Sequence, residues 1–451
     1  MVRRAEVVFE NGIGEAIRKQ RRQNNLSQAE LSEGICSRSH LSQIENGKRV
    51  PGPIVMARLT ERLDLPLLNF VDEYMQKAAV STGDYIRLAR ELTMREHFQL
   101  AKEILDIPKR FLQQQKKDPD SNYKFKRDYK DALAYWYNRQ GEYNNALHHY
   151  HDYLRLCQRR PSNRYHLARA HFVVGNNTIY VDGYTASKEP LLLAFGHIIS
   201  LAPDSSRIDF QRVISLHEKV MRSLLHVLVR LKEHQVARDI YEMARMRWDE
   251  LGILENPNEN ILLDAGLSFL GAGDIENARQ LFETIAFRTS ESPLNRLCLA
   301  NLGLIYRVKG QIYRALGFLE EAWKLYQEDG GWDGRAVVNE ITLCHIDLGN
   351  HKKAEEWIEL AEGIEHEYPF EPNPDTVGQT LVAKANLLRQ KEEDDAFGCL
   401  QQAENLNLSE EGRWGLSFEK LHYLIQQGHS TGDITDELDR LKNSLPGIFT
   451  L

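Results

Sequence analysis

The stretch CLANLGLIYRVKGQIYRALGFLEEAWKLY, residues 298–326, decides the fold. It reads as two helices joined by a turn at Gly310. The first carries Leu302, Gly303 and Tyr306, and the second carries Ala315, Leu319 and Ala322. Small residues on both helices let the two backbones approach closely, and a pair that cannot bury its face alone stacks on the next. The register recurs along the chain: a glycine, a small residue some five positions on, and an aliphatic or aromatic residue four after that. Gly141 leads to Ala146, Tyr150 and Tyr153; Gly273 leads to Ala278, Phe282 and Ile285; Gly349 leads to Ala354, Ile358 and Ala361. Weaker copies centre on Ala101, Ala237 and Ala396, and a degenerate one on Ala194. No strand alternation persists anywhere, so the fold class is all-α.

The intervals from Ala278 to Ala315, Ala354 and Ala396 are 37, 39 and 42 residues. The unit resembles the tetratricopeptide (TPR) repeat with extended loops, the ideal repeat being about 34 residues. Breaks fall where such loops belong, at Asp118-Pro119-Asp120, Asn256-Pro257-Asn258, Gly330-Gly331 and between Pro369 and Pro374. The expected organisation is a head at 1–66, a linker helix at 67–83 and a right-handed TPR-type solenoid at 84–445.

Composition narrows the function. The 451 residues are 42% hydrophobic and 27% charged, which excludes bulk disorder and a collagen-like chain. No apolar run approaches the roughly 18 residues of a spanning helix, so no membrane partner is expected. The opening MVRRAEVVFENG has no apolar stretch followed by a cleavage site, and a cytoplasmic protein is expected. Five scattered cysteines without a CxxC suggest neither disulfides nor zinc. Net charge is −8, yet residues 1–66 hold eleven Lys/Arg against eight acids, which leaves −11 for the rest. A small basic head on an acidic body suits local contact with DNA.

Residues 13–77 read as five short helices. Ile13, Ala16 and Ile17 stripe the first. Ser27 is a natural N-cap for the second, with Glu30 completing a capping box. Ser37 caps a third helix over 38–46, with Leu41 and Ile44 inward and Gly47 as its stop. Ile54, Leu59 and Leu63 mark a fourth, and residues 67–77 form a fifth.

This head resembles the helix-turn-helix domain of phage-repressor type. The residues that carry the likeness are Ile13-Gly14, Ile17-Arg18, Arg21, Leu26-Ser27-Gln28, Leu31, Leu41-Ser42, Ile44-Glu45, Gly47-Lys48-Arg49 and Pro51. The resemblance implies that the third helix enters the major groove of double-stranded DNA. Ser37, Arg38 and Ser39 then stand at its base-reading end, with Ser42 and Gln43 one turn on. Gln28 is implied as a phosphate grip and buttress, and Asn46 and Lys48 as phosphate contacts. The chemistry agrees, because Arg can reach guanine O6 and N7 together and Gln can pair with adenine. One recognition helix per chain makes few contacts, so a homodimer on an inverted-repeat operator is expected.

Gly34-Ile35-Cys36-Ser37-Arg38-Ser39 and Leu65-Pro66-Leu67-Leu68-Asn69-Phe70 look like the head and linker of the Gram-positive peptide-pheromone receptors of the RRNPP group. That likeness implies a quorum-sensing transcriptional regulator whose TPR groove binds a short linear signal peptide. Groove-side positions, counted back from the aligned small residues, include Asn138, Arg222, His226, Asn260, Asn301, Arg307, Asn339 and Asn386. An Asn amide offers donor and acceptor to a peptide backbone, and Arg can pair with a carboxylate. Asn301 and Asn339, 38 residues apart, are expected along one wall. Two other readings stay open: a regulator whose body binds a protein partner, and an adaptor that sequesters a phosphorelay protein.

An enzyme is not expected, since HExxH, GxxxxGK[ST] and GxSxG are all lacking. Gly271-Ala272-Gly273 falls at a helix turn with no strand before it. His148, His149 and His151 raise a metal reading, with His148 and His151 on one helix face, but no third ligand is dictated. No metal and no cofactor are expected.

Overall fold

The computed structural model describes residues 13–51, 53–65, 82–114, 122–160, 163–201, 210–252, 257–288, 294–328, 334–364, 373–393, 395–428 and 431–444. Among them every regular element is helical. The contacts divide the chain into two units, Met1–Val227 and Leu228–Leu451.

The first unit opens with α1 (Ile13–Gln23), α2 (Gln28–Ser32), α3 (Arg38–Glu45) and α4 (Pro53–Arg62). The Ser27 hydroxyl accepts from the Glu30 amide at 3.1 Å, and the Glu30 carboxylate accepts from the Ser27 amide at 2.7 Å. The expected capping box is therefore in place, and the Ser37 hydroxyl likewise takes the His40 amide to start α3. Ile17, Leu31, Leu41, Ile44, Leu59 and Leu63 are fully buried between the four helices. Helix α1 lies so close to α3 that a Cβ on Gly14 would stand 2.1 Å from the Ile44 carbonyl oxygen. Backbone cannot rotate aside as a side chain can. Gly14→Ala should therefore cost about 1–3 kcal/mol through overpacking, read as a lower melting temperature with faster amide exchange in α1 and α3. Unchanged exchange would contradict the close approach.

The head shares its core with the first repeat. Leu59 and Leu63 belong to one apolar cluster with Tyr85, Leu88 and Leu92 of α5 (Thr82–Met94) and with Ala101 and Ile104 of α6 (Phe98–Gln114). Arg58 of α4 reaches Glu91 of α5 at 2.9 Å. The linker helix expected at 67–83 falls outside the described residues over 66–81, and Thr82 begins α5.

Helix pairs follow: α7 (Tyr123–Arg139) with α8 (Tyr143–Gln158), then α9 (Arg164–Val181) with α10 (Gly183–Ile199). Helix α11 (Phe210–Arg230) contains the division between the units, which falls after Val227. The second unit holds α12 (His234–Leu251), α13 (Glu259–Gly271), α14 (Ile275–Ala286), α15 (Asn295–Val308) and α16 (Ile312–Glu328). It continues with α17 (Arg335–Asp347), α18 (His351–Gly363), α19 (Pro374–Gln390), α20 (Ala396–Glu404), α21 (Glu410–Gln426) and α22 (Thr431–Ser444). All eight small residues used to align the repeats are buried. A Cβ on Gly303 of α15 would stand 2.4 Å from the Leu319 side chain and 3.3 Å from the Ala315 carbonyl oxygen of α16. The α21–α22 pair is a further one that the alignment did not reach.

The turns explain which copies were strong. Gly310 closes the first helix of its pair with φ +72°, a left-handed conformation that glycine adopts without a Cβ clash. In the weaker copies Glu96 (φ +64°) and Lys232 (φ +59°) hold the same conformation, five residues before Ala101 and Ala237. The turn is kept while the glycine signal is lost. In the degenerate copy only Asp182 separates α9 from α10, so Gly183 stands eleven residues before Ala194.

Candidate nucleic-acid interface and repeat groove

The head presents α3 as a supported rod. Arg21 of α1 and Glu45 of α3 form a buried two-pronged pair, with Nη2 2.9 Å from Oε2. The Arg21 Nη1 also donates to the Leu26 carbonyl at 2.7 Å, and the Gln28 amide donates to Glu45 at 2.8 Å. Burial opposes ionisation of Glu45, but the hydrogen bonds from Arg21 and Gln28 outweigh it and hold the carboxyl below its usual range. Gln28 is thus a buttress, half-buried at the start of α2. Ser37 is spent as the N-cap. Arg38, Ser39 and Gln43 are exposed on α3, Ser42 is half-buried, and Asn46 and Lys48 are exposed just beyond it. A hollow of about 980 Å³ beside α1 and the turn after α3 carries Arg18, Lys19, Arg22 and Arg49. Cys36 lies half-buried against the head core, and burial pushes its thiol up.

Within the first unit, a groove of about 810 Å³ runs along α5, α7, α9 and α11, the first helices of successive repeats. Its lining has seven Lys/Arg and two carboxylates, Asp128 and Asp131. Asp131 of α7 is buried between two arginines: Arg90 of α5 at 2.9 Å and Arg169 of α9 at 3.0 Å. Burial would raise its pKa, but Arg169 and Arg90 hold it below the usual range. The Lys219 ammonium of α11 is lowered by burial and by the charges of Arg169, Arg222 and Arg90, against the opposing charge of Glu218. Sequence reasoning missed this cluster. A signal was present, because Arg90, Asp131 and Arg169 stand 41 and 38 residues apart, close to one repeat each.

The expected peptide positions fare unevenly. Arg222 and His226 are exposed on α11, His226 lying edge-on to Tyr184 with centroids 5.8 Å apart. Asn138 is turned to Asn177 of α9 at 2.6 Å. Asn260 bonds Asn258 at the cap of α13 at 3.0 Å. Arg307 pairs with Glu340 of α17 at 2.8 Å. Asn386 accepts from Arg389 and Gln390 of its own helix at 3.1 and 3.2 Å. The wall expected from Asn301 and Asn339 needs correction. The Asn301 amide donates to the Leu297 carbonyl at 2.8 Å. Asn339 is buried, donating to the Thr376 carbonyl and accepting from the Thr380 hydroxyl, both at 2.9 Å. It ties α17 to α19, because its amide is satisfied only inside the core.

The one histidine-rich ligand cluster among the described residues is His148, His149 and Asp152, not His148 with His151. The Lys130 ammonium lies 2.7 Å from Asp152 and 3.5 Å from His149. Burial and the Lys130 charge lower His149 to about 4. A lysine charge already fills the place where a cation would sit.

Comparison with known proteins agrees with these two parts. The helix-turn-helix family profile matches residues 17–70. No curated protein matches the chain in sequence. The solved structure of apo RapI is similar at 10% identity over 80% of this chain and 97% of that one, with a TM-score of 0.53. Aspartyl phosphate phosphatase F from Bacillus subtilis is matched at 15% identity, 81% and 94% coverage and a TM-score of 0.48. PlcR from Bacillus thuringiensis, in complex with the peptide PapR7 and DNA, is matched at 14% identity, 60% and 94% coverage and a TM-score of 0.28. The likeness to RapI is one of fold. Among the described residues no helix is long and apolar enough to cross a membrane. The chain joins a helix-turn-helix head, matched over residues 17–70, to TPR-like paired helices whose fold is similar to that of RapI.

Proposed function

We propose that this protein is a cytoplasmic, non-catalytic transcriptional regulator. In this reading it binds an inverted-repeat operator as a homodimer through α3, and a short linear signal peptide in its repeat groove switches it. The observation that carries the reading is the pairing of an exposed, buttressed α3 with a head whose core continues into the first repeat. A ligand gripping α5, α7 and α9 would act on the helix that Arg58 ties to the head. The ligand must bind two arrangements of the repeats unequally to shift DNA binding.

Arg38→Ala should weaken operator binding by about 1–3 kcal/mol and relax one base position. Lys48→Ala should weaken all sequences alike and flatten the salt dependence. Fluorescence anisotropy on specific and scrambled duplexes separates the two effects. Unchanged affinity and selectivity in Arg38→Ala would refute the assignment of α3. A strictly monomeric complex with operator, by light scattering, would refute the dimer.

A further inference from the structure

We propose that the groove of the first unit selects an anionic peptide, one of whose carboxylates seats against Arg169 and Arg90 beside Lys219. This rests on the peptide reading above and adds the chemistry of the ligand.

The argument begins with charge. The chain is net −8, yet this groove gathers seven Lys/Arg against two carboxylates. One of those, Asp128, is already paired with Arg127 at 2.7 Å. The other, Asp131, must serve two arginines, so that cluster keeps a net positive charge. A guanidinium has five donors in a fixed fork. Arg169 gives Nε and Nη2 to Asp131, and its Nη1 has no partner among the described residues. The side chains of Arg169 and Arg90 are 24% and 32% exposed, so their remaining donors open on the groove.

Lys219 strengthens the case. It has no ion-pair partner among the described residues, and the charges of Arg169, Arg222 and Arg90 bear on it against that of Glu218. One carboxylate between two arginines leaves positive charge over, and a second carboxylate placed among these cations gains charge-assisted, two-pronged bonds. Arg90 also lies over the Tyr135 ring, 5.6 Å from its centroid, which fixes the guanidinium for a planar partner. A recess of about 810 Å³ between helices takes a few residues of extended chain.

The test uses the full chain and N-terminally labelled synthetic heptapeptide pools, read by fluorescence anisotropy at low and moderate salt. One pool is rich in Asp and Glu, one is neutral and one is rich in Lys and Arg. Each is made with a free and with an amidated C-terminus. The acidic free-acid pool should bind at least about tenfold tighter than the basic pool, and the preference should shrink with salt. Loss of the preference on amidation assigns the carboxylate to the peptide terminus, and its survival assigns it to a side chain.

Arg169→Gln should abolish the acidic preference. Since that change also touches Asp131, Lys219→Glu provides a variant with no hydrogen bond or ion pair to lose among the described residues, and it should do the same. Equal binding of all pools, or a preference intact in Lys219→Glu, would overturn the proposal while leaving the peptide reading standing. No binding of any pool would overturn both. Tighter binding of a labelled heptathymidylate, abolished by Lys219→Glu, would overturn it in favour of a nucleic-acid groove.

Discussion

Glu45→Ala should unfold the head while leaving the repeats folded. The substitution strands Arg21, whose side chain is 10% exposed, without its buried carboxylate. Removing one partner of a buried ion pair costs about 3–5 kcal/mol. A single core of some fifty residues seldom supplies more than about 3–5 kcal/mol by itself. Packing of α4 on α5 adds to that, so the head should open locally rather than carry the chain with it. Hydrogen exchange read by mass spectrometry should show loss of protection in α1 and α3 and none in α15 to α17. Arg21→Met with Glu45→Leu should regain most of the stability, since replacing both partners with apolar groups is often neutral. Operator binding should not return, because the Gln28 and Arg21 bonds that set α3 are gone.

Acid should act on the same pair. The folded carboxyl of Glu45 lies below its ordinary value. Its contribution is therefore full above the unfolded carboxyl pKa, about 4.3, and is lost as the pH falls through the lower folded value. Head protection should fade only below about pH 4.3, and a loss beginning near pH 6 would contradict the assignment.

Asp131→Ala should have an effect of similar size in the first repeats. It leaves Arg90 and Arg169 facing each other with no anion between them. Breaking a buried pair again costs about 3–5 kcal/mol, here lessened because both arginines reach solvent. The loss should appear as a lower melting temperature and faster exchange in α5, α7 and α9, the three helices that Asp131 joins. Asp131→Ala with Arg169→Met should recover part of it, since one unpaired charge can still be hydrated. Wild-type protection of α9 in Asp131→Ala would show that the pair is not a structural tie.

The repeats were legible because a buried alanine tolerates little else. The eight that align the repeats all lie in the core. Glu96 and Lys232 hid two turns, since tertiary packing holds an ordinary residue in the left-handed conformation where glycine is merely easier. The exposed face of α3, proposed to read DNA, was legible because caps and inward residues leave only one side of so short a helix exposed. The groove was not. Polar residues one repeat apart were read as a column facing a ligand. Asn339 with Thr376 and Thr380, Arg307 with Glu340, and Asn138 with Asn177 show another outcome of that spacing. It places side chains on neighbouring helices, where they satisfy each other. Where one carboxylate faces two arginines, at Asp131, the spacing leaves donors over.

Selection of duplexes from a random pool by the full chain tests the central claim most directly, run with wild type and with Arg38→Ala. The account predicts enrichment of an inverted repeat whose half-sites lie one helical turn or a multiple apart, with selectivity at one position per half-site lost in Arg38→Ala. Recovery of unrelated sequences by the wild type, or of the same repeat with undiminished selectivity by Arg38→Ala, would contradict it.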